Sequence, residues 1–430
     1  MLGPGAFQEI DQTSAFEAVA SWSQTVLPTS RHAELMNLAL KHAIVQRGVA
    51  HLIFPDEVQV LEVPEETPAS GAEGRIADPE IAPPPQAVAA AAKLLGEAKR
   101  PLVIVGHGAR GAMDRVIALA ESLGAPVLTT FKAKGQIPDD HPLAGGVLGR
   151  SGTPIAAGLM SEADLLVVFG ASFADHTGID RTKRIVQVDF DRLALGKLHP
   201  VTVPVWGEIG VSAEGLHQAM PLSLAATDQR PDVAERWRLW REEKARRRSR
   251  DRGRGIGSAT VFEALTQRAP EDAVIAVDVG NNSYSFGRYF ECRRQSVLMS
   301  GYLGSIGFGF PAAMGAWAAA PGRPILAVCG DGGFGQYLAE FTTAVKYGMS
   351  ITVLLLNNSE LGKISKEQRA GQWPVWETSL RNPSFARFAE DCGGLGIRVT
   401  QSSELESALD RGLAHEGPAL VEVITDPELI

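Results

Sequence analysis

The chain has 430 residues, of which 45% are hydrophobic and 21% charged, and its formal net charge at pH 7 is −9. This length exceeds what one hydrophobic core supports, and the composition excludes a disordered or fibrous protein. The acidic balance gives no basic field for nucleic acid, and no apolar run is long enough to span a bilayer, so neither partner is expected.

The first 65 residues contain few recognisable elements. An amphipathic pattern predicts a helix over residues 31–46, and an apolar run predicts a strand over residues 50–54. These two elements are too few to bury a core of their own. We therefore interpret residues 1–65 as the carboxyl-terminal remnant of an α/β domain, followed by a proline-rich linker over residues 62–85.

Residues 66–225 show alternating helices and continuously apolar strands. An alanine-rich helix comes first, and another helix is expected to end near Ala120. The predicted strands cover residues 102–105, 126–130, 164–170 and 184–190. This alternation is typical of a parallel sheet with helices on both faces, so the central domain is predicted to be doubly wound and Rossmann-like.

The segment from Gly106 to Gly111 has the spacing GxGxxG and follows the first of these strands. A dinucleotide site would place an acidic residue at the end of the next strand. Thr129, Thr130 and Phe131 occupy that place. The segment is either a tight turn between strand and helix or a nucleotide-binding loop, and the missing acid favours the turn.

Residues 226–257 are predicted to form a charged linker helix that ends in an arginine- and glycine-rich stretch. An arm that binds nucleic acid is the alternative interpretation. Glu242 and Glu243 interrupt the basic run, and the protein as a whole is acidic, so a solvated linker helix is favoured. The three cysteines, Cys292, Cys329 and Cys392, lack disulfide or metal spacing, which is typical of thiols in a reducing compartment such as the cytoplasm.

Residues 258–430 repeat the doubly wound pattern, with strands predicted over residues 273–280, 324–330, 351–358 and 418–425. One strand ends at Gly330-Asp331-Gly332-Gly333, a helix is expected over residues 336–346, and the next strand ends at Asn357-Asn358. A right-handed crossover places these two strand ends close together at the edge where open α/β sheets bind ligands.

Asp331 and Asn358 together offer one anionic and one neutral oxygen ligand, a combination that suits Mg²⁺ with phosphate oxygens and water. The glycines allow close approach of a diphosphate, and a helix amino terminus would attract it. A tight turn capped by Asp331 would explain the glycine motif alone. The paired asparagines at the matching strand end favour a metal–diphosphate clamp.

Gly330-Asp331-Gly332, followed after 24 residues by Asn357-Asn358, resembles the signature of thiamine-diphosphate-dependent enzymes of the pyruvate oxidase and acetolactate synthase group. The stretches over residues 300–316 and 278–282 are similar to the cofactor loops of that superfamily. The resemblance implies thiamine diphosphate and Mg²⁺ as cofactors. It also implies that residues 1–65 belong to a pyrimidine-binding domain and residues 258–430 to a diphosphate-binding domain.

Carried over by this resemblance, the metal ligands are the side chains of Asp331 and Asn358 and the backbone carbonyl of Glu360. Ile306 would bend the cofactor into its reactive shape, although a core isoleucine is the alternative interpretation. Glu367 is a second candidate catalytic residue, or else an acid on a surface helix. The residues expected to contact the cofactor are Gly280, Asn281, Asn282, Gly304, Ser305, Ile306, Gly330, Asp331, Gly332, Gly333, Asn358, Glu360, Leu361 and Gly362.

The resemblance implies decarboxylation of a pyruvate-type 2-oxo acid, followed by oxidation or by carboligation as in acetolactate synthase. FAD would contact residues 170–178 and 187–197, although many relatives keep this domain without flavin. A homodimer or homotetramer is expected, because the cofactor of the family lies between two chains. The family's activating glutamate would lie upstream of Met1. A truncated, non-catalytic module that binds the cofactor, or one half of a two-chain enzyme, is therefore the alternative.

Overall fold

The computed structural model describes residues 5, 7–62, 73–150 and 152–428. The chain divides into two compact units, Met1–Pro79 and Glu80–Ile430, and the second unit contains two six-stranded sheets. The predicted domain boundary between residues 65 and 66 lies outside the described residues.

The described residues of the first unit form a two-stranded parallel sheet and three helices. Its elements are α1 (Gln12–Phe16), β1 (Trp22–Thr25), α2 (His32–Gln46), β2 (Ala50–Ile53) and α3 (Asp56–Gln59). The predicted helix and strand are thus confirmed as α2 and β2. Among the described residues of this unit, only Val26 and Ala39 are buried apolar side chains. The unit as described therefore has almost no core, as the sequence predicted.

The central domain is built on a six-stranded sheet in which all strands are parallel, in the order β5-β4-β3-β6-β7-β8. Its elements are α4 (Pro85–Glu97), β3 (Pro101–Val105), α5 (Met113–Leu123), β4 (Val127–Thr129), β5 (Ala144–Val147), α6 (Pro154–Glu162), β6 (Leu165–Phe169), β7 (Arg184–Asp189), β8 (Val203–Trp206) and α7 (Ile209–Gln218). The strand order reverses between β3 and β6, as in doubly wound nucleotide-binding folds. This arrangement confirms the predicted architecture, and it adds the edge strands β5 and β8.

The carboxyl-terminal domain has a second parallel sheet, in the order β10-β9-β11-β12-β14-β13. Its elements are α9 (Ser258–Arg268), β9 (Val274–Val277), α10 (Asn281–Tyr289), β10 (Ser296–Met299), α11 (Gly309–Ala319), β11 (Ile325–Gly330), α12 (Asp331–Gln336), α13 (Glu340–Lys346), β12 (Ile351–Asn357), α14 (Gly362–Ala370), α15 (Phe385–Asp391), β13 (Leu395–Val399), α16 (Leu405–Leu413) and β14 (Ala419–Ile424). The four predicted strands are confirmed, and the edge strands β10 and β13 are additional. The strand order reverses between β9 and β11, which fixes the edge where a ligand is expected.

The crossover between β11 and β12 differs from its prediction. The expected helix over residues 336–346 is two helices, α12 and α13, and the first begins at Asp331 itself. Glycines are weak helix formers, so the sequence Asp-Gly-Gly-Phe-Gly predicted a loop at this place. Because the helix begins where the strand ends, Asp331 lies at the strand–helix junction.

The linker over residues 226–257 contains one long helix, α8 (Arg230–Arg248), as predicted. It is more than a solvated spacer, because one of its faces is buried against both domains. The Trp237 Nε1–H donates to the Ala144 carbonyl of the central domain at 2.7 Å. Lys244 Nζ lies 2.6 Å from Glu291 Oε1 of the carboxyl-terminal domain. The helix therefore ties the two sheets of this unit together.

The cysteine thiols are unpaired, and those of Cys292 and Cys329 are fully buried. Burial raises the pKa of the Cys292 thiol to about 12, so it is unreactive at neutral pH. Within the described ranges, no helix combines the length and the apolar character needed to cross a bilayer.

Candidate cofactor site

A cavity of about 310 Å³ opens at the carboxyl edge of the carboxyl-terminal sheet, where β9, β11 and β12 end. In the parallel register, Gly330 is opposite Leu356, and Val328 is opposite Val277. The loops that follow these strands therefore start at the same level and face one another. This is also the point where the strand order reverses, which is the usual ligand position in such sheets.

The cavity brings the predicted cofactor residues together. All of them except Ser305 line it, although they come from four separate stretches of the sequence. The sequence did not identify Ser258, Val279, Leu356, Ile364, Thr425 or Asp426, which also line the cavity. Thr425 and Asp426 directly follow β14, the neighbour of β12, so the same-edge argument used for Asn358 could have found them.

Asp331 is only 4% exposed, and hydrogen bonds fix the position of its carboxylate. Oδ1 accepts from the Gly332 N–H at 3.0 Å. Oδ2 accepts from the Ser359 N–H at 2.8 Å and from Asn382 Nδ2 at 2.7 Å. Burial raises the pKa of Asp331, and these hydrogen bonds act against that shift. The negative charge of a buried carboxylate is unfavourable by itself, and a bound cation would stabilise it.

The other predicted metal ligands lie on the turn after β12. Asn358 lines the cavity, and its Oδ1 accepts from the Glu360 N–H at 3.1 Å. The Glu360 carboxylate is held by Arg369 Nη2 at 3.2 Å, so its side chain is already paired. In the described part of the chain, no three His, Cys, Asp or Glu side chains cluster as a metal cage would require. A site built from one carboxylate, one amide and main-chain oxygen suits a hard cation such as Mg²⁺, whose remaining ligands come from phosphate and water.

Other residues that line the cavity have the features of an anion cradle. The Nδ2 group of Asn281 is buried without a hydrogen-bond partner in the protein. A side chain at Gly332 would meet Leu361 at 2.7 Å, and one at Gly333 would meet Asp278 Oδ2 at 2.6 Å, so both positions are glycine because the turn packs closely there. The unsatisfied amide and this glycine cradle line the same cavity, and both fit a diphosphate.

Ile306 lies on a loop that reaches the cavity between two glycines in left-handed conformations, Gly304 at φ 65° and Gly307 at φ 89°. The loop is held by Asp278, whose Oδ1 accepts from the Gly307 N–H at 2.9 Å. Asp278 is fully buried, its Oδ2 has no hydrogen-bond partner, and burial raises its pKa. The sequence placed Asp278 in a cofactor loop but did not reveal that it fixes a second one.

Comparisons with known proteins agree with this geometry. Residues 278–423 match the family model described as the carboxyl-terminal TPP binding domain of thiamine pyrophosphate enzymes, and residues 88–216 match the central domain. The chain is 33% identical to the "Putative thiamine pyrophosphate-containing protein YdaP" of Bacillus subtilis, over 99% of this chain and 74% of the relative. The chain belongs to the thiamine pyrophosphate enzyme family.

Two further relatives carry names of specific reactions. The acetolactate synthase large subunit of Corynebacterium glutamicum is 30% identical over 99% of this chain and 70% of its own length. The sulfoacetaldehyde acetyltransferase of Castellaniella defragrans is 28% identical over 100% of this chain and 77% of its own length. The superfamily resemblance inferred from the motifs is thereby confirmed.

In this member of the thiamine pyrophosphate enzyme family, the predicted Glu367 and a second polar residue of α14, Lys363, lie in different environments. Lys363 lines the cavity, and its Nζ lies 5.3 Å from the centre of the Tyr284 ring. Glu367 does not line the cavity, and its side chain is 56% exposed. It forms a short ion pair with Lys363, and this hydrogen bond lowers the pKa of Glu367. The structure therefore places Lys363 closer to the cofactor cavity than the predicted Glu367.

The central domain contains a cavity of about 1010 Å³ at the carboxyl ends of β6 and β7. The two segments predicted to contact FAD, 170–178 and 187–197, both border it. His199 also lines it, with a buried Nε2 that has no hydrogen-bond partner. The lining of this cavity mixes charged residues such as Asp175 and Arg181 with apolar residues such as Phe173 and Ile179.

The GxGxxG segment of the same domain is used for packing. The Gly106 N–H donates to the Phe169 carbonyl at 2.8 Å, and the Gly108 N–H donates to the Gly170 carbonyl at 3.0 Å. A side chain at Gly106 would meet the Gly170 oxygen at 2.1 Å. These N–H groups are therefore satisfied inside the protein, which supports the interpretation as a tight turn.

Proposed function

We propose that this chain is a thiamine-diphosphate- and Mg²⁺-dependent enzyme that decarboxylates a 2-oxo acid of the pyruvate type, and then oxidises the product or joins it to a second carbonyl compound. The observation that carries the proposal is the convergence of the Asp331–Asn358 pair, the glycine cradle and Ile306 on one cavity. Relatives named acetolactate synthase and sulfoacetaldehyde acetyltransferase support transfer of a two-carbon unit.

Different residues of the cavity would bind the metal ion and the diphosphate. Asp331 and Asn358 would hold Mg²⁺ through their side chains, and Glu360 would hold it through its backbone carbonyl. The N–H groups of Gly332 and Gly333 would bind the diphosphate. Bound thiamine diphosphate supplies a thiazolium ring that accepts the electrons released when CO₂ leaves a 2-oxo acid.

The remaining side chains would orient the reactants. Asn281 Nδ2 is an unused donor that is available to the diphosphate. Ile306 would press the two cofactor rings toward each other, which keeps the reacting groups in contact. Lys363 carries the positive charge of this cavity wall and would attract the carboxylate of the substrate. Glu367 would act through Lys363, because the two side chains are paired.

Completion of the site by a second chain is part of this proposal. Among the described residues that line the cavity, the carboxyl groups are those of Asp331, Glu360 and Asp426. The Glu360 carboxylate pairs with Arg369, and Asp426 Oδ2 lies 3.8 Å from Arg252 Nε. Asp331 is assigned to the cation and Glu360 is paired, whereas the buried Oδ2 of Asp426 has no hydrogen-bond partner. We assign the activation of the pyrimidine ring to none of the three, because the resemblance places that role on a glutamate of the amino-terminal domain. Turnover would therefore require a glutamate from a different chain, because the resemblance places that residue upstream of Met1.

The alternative is a module that binds the cofactor without turnover, or one half of a two-chain enzyme. The same observation favours it, because it requires no activating carboxylate in this chain. Titration calorimetry of thiamine diphosphate with Mg²⁺, combined with an assay of CO₂ release from pyruvate, separates the two proposals. Binding with turnover supports the enzyme, binding without turnover supports the module, and absence of binding overturns both.

We also propose that the central cavity binds FAD or a related adenine nucleotide. The two loops predicted to contact FAD form one cavity of about 1010 Å³, and His199 presents an unpartnered ring nitrogen there. The visible spectrum of the protein, after incubation with FAD and removal of the free cofactor, tests this directly. Retained flavin absorbance supports an oxidase or a flavin-containing carboligase, and its absence favours carboligation without flavin.

A further inference from the structure

A chain of hydrogen bonds, buried at Glu422 and half-buried at Asn382, runs from β14 to the predicted metal ligand Asp331. Asn357 Nδ2 donates to Glu422 Oε1 at 2.8 Å. Asn357 Oδ1 accepts from Asn382 Nδ2 at 3.0 Å, and the same Nδ2 group donates to Asp331 Oδ2 at 2.7 Å. We refer to these four side chains, Glu422, Asn357, Asn382 and Asp331, as the relay. It joins residues that lie far apart in the sequence.

The direction of these hydrogen bonds is fixed at one end. Glu422 accepts hydrogen bonds through both oxygens, since Oε2 takes the Ala386 N–H at 3.0 Å. An asparagine amide can face either way, but only its NH₂ group satisfies an acceptor such as a carboxylate. Asn357 must therefore present its oxygen to Asn382. Asn382 in turn must point its NH₂ group at Asp331.

The same oxygen of Asn357 also shapes the metal-binding turn. It accepts from the Ser359 N–H at 3.2 Å and lies 3.3 Å from Ser359 Oγ. Ser359 has a φ of 56°, a left-handed conformation that a non-glycine residue adopts only when its surroundings hold it. This conformation lies between the two residues predicted to bind the cation, Asn358 and Glu360. The relay thus holds both the carboxylate and the turn.

Burial makes the relay sensitive to any lost partner. Glu422 is 0% exposed, so water cannot replace a hydrogen bond that its carboxylate loses. The neighbours of Glu422 along β14 are apolar, so the carboxylate depends on the hydrogen bonds that it accepts from Asn357 and Ala386. Arg398, which is half-exposed, approaches Glu422 Oε1 at 3.4 Å. A buried carboxylate at this place therefore has a use beyond packing.

We propose that Glu422, Asn357 and Asn382 are positioning residues of the metal site. They hold the Asp331 carboxylate and the 357–360 turn in the arrangement that binds the divalent cation. Asp331 Oδ2 takes two donors from the protein, whereas Oδ1 takes only the N–H of the adjacent Gly332, which leaves Oδ1 for the cation. The inference rests on the proposed metal site and extends it to three residues that do not line the cavity.

The test is Mn²⁺ binding to the full chain, measured by electron paramagnetic resonance at a fixed concentration of thiamine diphosphate. Partners that orient metal ligands typically contribute about 10–100-fold to affinity, so Asn382→Ala is expected to weaken Mn²⁺ binding by that factor. Glu422→Gln is expected to have a similar effect, because its NH₂ group must face either Asn357 Nδ2 or the Ala386 N–H. Raising the Mn²⁺ concentration should restore binding in both variants.

Val423→Ala is the matched control, because Val423 is a fully buried neighbour of Glu422 whose side chain makes no contact with the relay through hydrogen bonds. It should lower the melting temperature of the metal-free protein without changing Mn²⁺ affinity. The double variant Asn382→Ala/Glu422→Gln should lose less affinity than the product of the two single losses, since the residues act in series.

The outcomes separate this inference from the proposed function. Wild-type protein that binds no Mn²⁺ would overturn both. Wild-type protein that binds, with Asn382→Ala and Glu422→Gln equal to it, would overturn only the relay. An affinity loss in Val423→Ala as large as that in the relay variants would also overturn it, because the effect would then come from general destabilisation. If Glu422→Gln fails to fold, the Asn382→Ala variant alone tests the relay, because Asn382 is only half-buried.

Discussion

Gly330 and Leu356 lie opposite one another in neighbouring parallel strands. This register puts Asp331 and Asn357 next to each other at the same edge of the sheet. As a result, the Ser359 N–H on the turn after β12 reaches Asp331 Oδ2 at 2.8 Å. The crossover between β11 and β12 therefore builds the proposed metal site: residues separated in sequence become neighbours because both strands end at one level.

Asp331→Ala tests the cation clamp most directly. We expect at least about a 100-fold loss of Mg²⁺-dependent affinity for thiamine diphosphate, since even indirect partners of a metal contribute up to that factor. The fold should survive, because the variant also removes a buried carboxyl group whose charge is unfavourable without the metal. Titration calorimetry measures the affinity, and Asp272→Ala, an exposed change in the same domain, is the control. Unchanged affinity would refute the assignment.

Ile306→Ala tests whether Ile306 holds the cofactor in its bent conformation. The variant should still bind thiamine diphosphate and Mg²⁺, because Ile306 contributes no polar contact to either. Release of CO₂ should fall by about 10-fold or more, since even small misplacements of reacting groups are costly. The control is Leu303→Ala, which lies on the same loop, is 85% exposed and does not line the cavity. An equal decline in both variants would attribute the effect to the loop as a whole.

The sheets show which part of a fold the sequence reveals. The interior strands are continuously apolar, because helices cover both of their faces, and all of these strands were predicted. The edge strands β5, β8, β10 and β13 were missed. Ala144–Val147 contains two glycines, Val203–Trp206 contains a proline, and Ser296–Met299 is partly exposed. Edge strands need less apolar surface, so their sequences carry a weaker signal.

The candidate site could also be predicted only in part from the sequence, for a different reason. The meeting of Asp331 and Asn358 at one edge of the sheet could be predicted, because glycines and strand ends mark both residues in the sequence. Asn382 and Glu422 could not be predicted, because their role depends on hydrogen bonds that exist only after β14 has paired with β12. Glu422 is a single acidic residue within an otherwise apolar strand, which can be noticed in the sequence. The sequence spacing does not indicate that its hydrogen-bond partner is Asn357.

Asp278→Asn should show a pH-dependent gain in stability. Burial raises the pKa of Asp278 above 3.8, so the folded protein retains this proton to higher pH than the unfolded chain does. The stability of the wild-type protein therefore falls as pH rises through that interval, and the loss is complete above the raised pKa. Asparagine has the same shape and carries no charge.

The Asp278→Asn variant should therefore match wild-type stability in acid and exceed it near neutrality. Denaturant unfolding at a series of pH values, without added cofactor, measures the difference. A variant that is less stable at every pH would show instead that the hydrogen bonds from Val279 and Gly307 require the carboxylate.

The central cavity can be tested by filling it. Ala194→Trp places a large side chain at its wall, whereas Leu193→Trp changes an adjacent residue that is 81% exposed and does not line it. We expect wild type and Leu193→Trp to retain flavin absorbance after incubation with FAD, and Ala194→Trp to lose it. Equal retention by all three proteins would place the flavin elsewhere, and no retention by any of them would contradict flavin binding.

Lys363→Met tests how the substrate is recognised. Lys363 lines the cofactor cavity, so removal of its ammonium group should raise KM for pyruvate by about 10-fold and leave kcat nearly unchanged. This pattern is expected for a charge that attracts the substrate carboxylate equally in the bound substrate and in the transition state. Glu367→Gln should do the opposite and lower KM by at most about fivefold, since exposed ion pairs contribute about 1 kcal/mol or less.

The two α14 variants also differ in their expected dependence on pH. Lys363 lowers the pKa of Glu367 below 4.5, so their ion pair is present above that pH and is lost only as pH falls through the lowered value. Between about pH 5 and pH 8, the ratio of wild-type to Glu367→Gln KM should therefore be constant. Two results would contradict this view of Glu367. One is a change of that ratio within this pH range, and the other is an about 100-fold lower turnover of the Glu367→Gln variant at saturating pyruvate. Either result would mean that Glu367 takes part in proton transfer and does more than restrain Lys363.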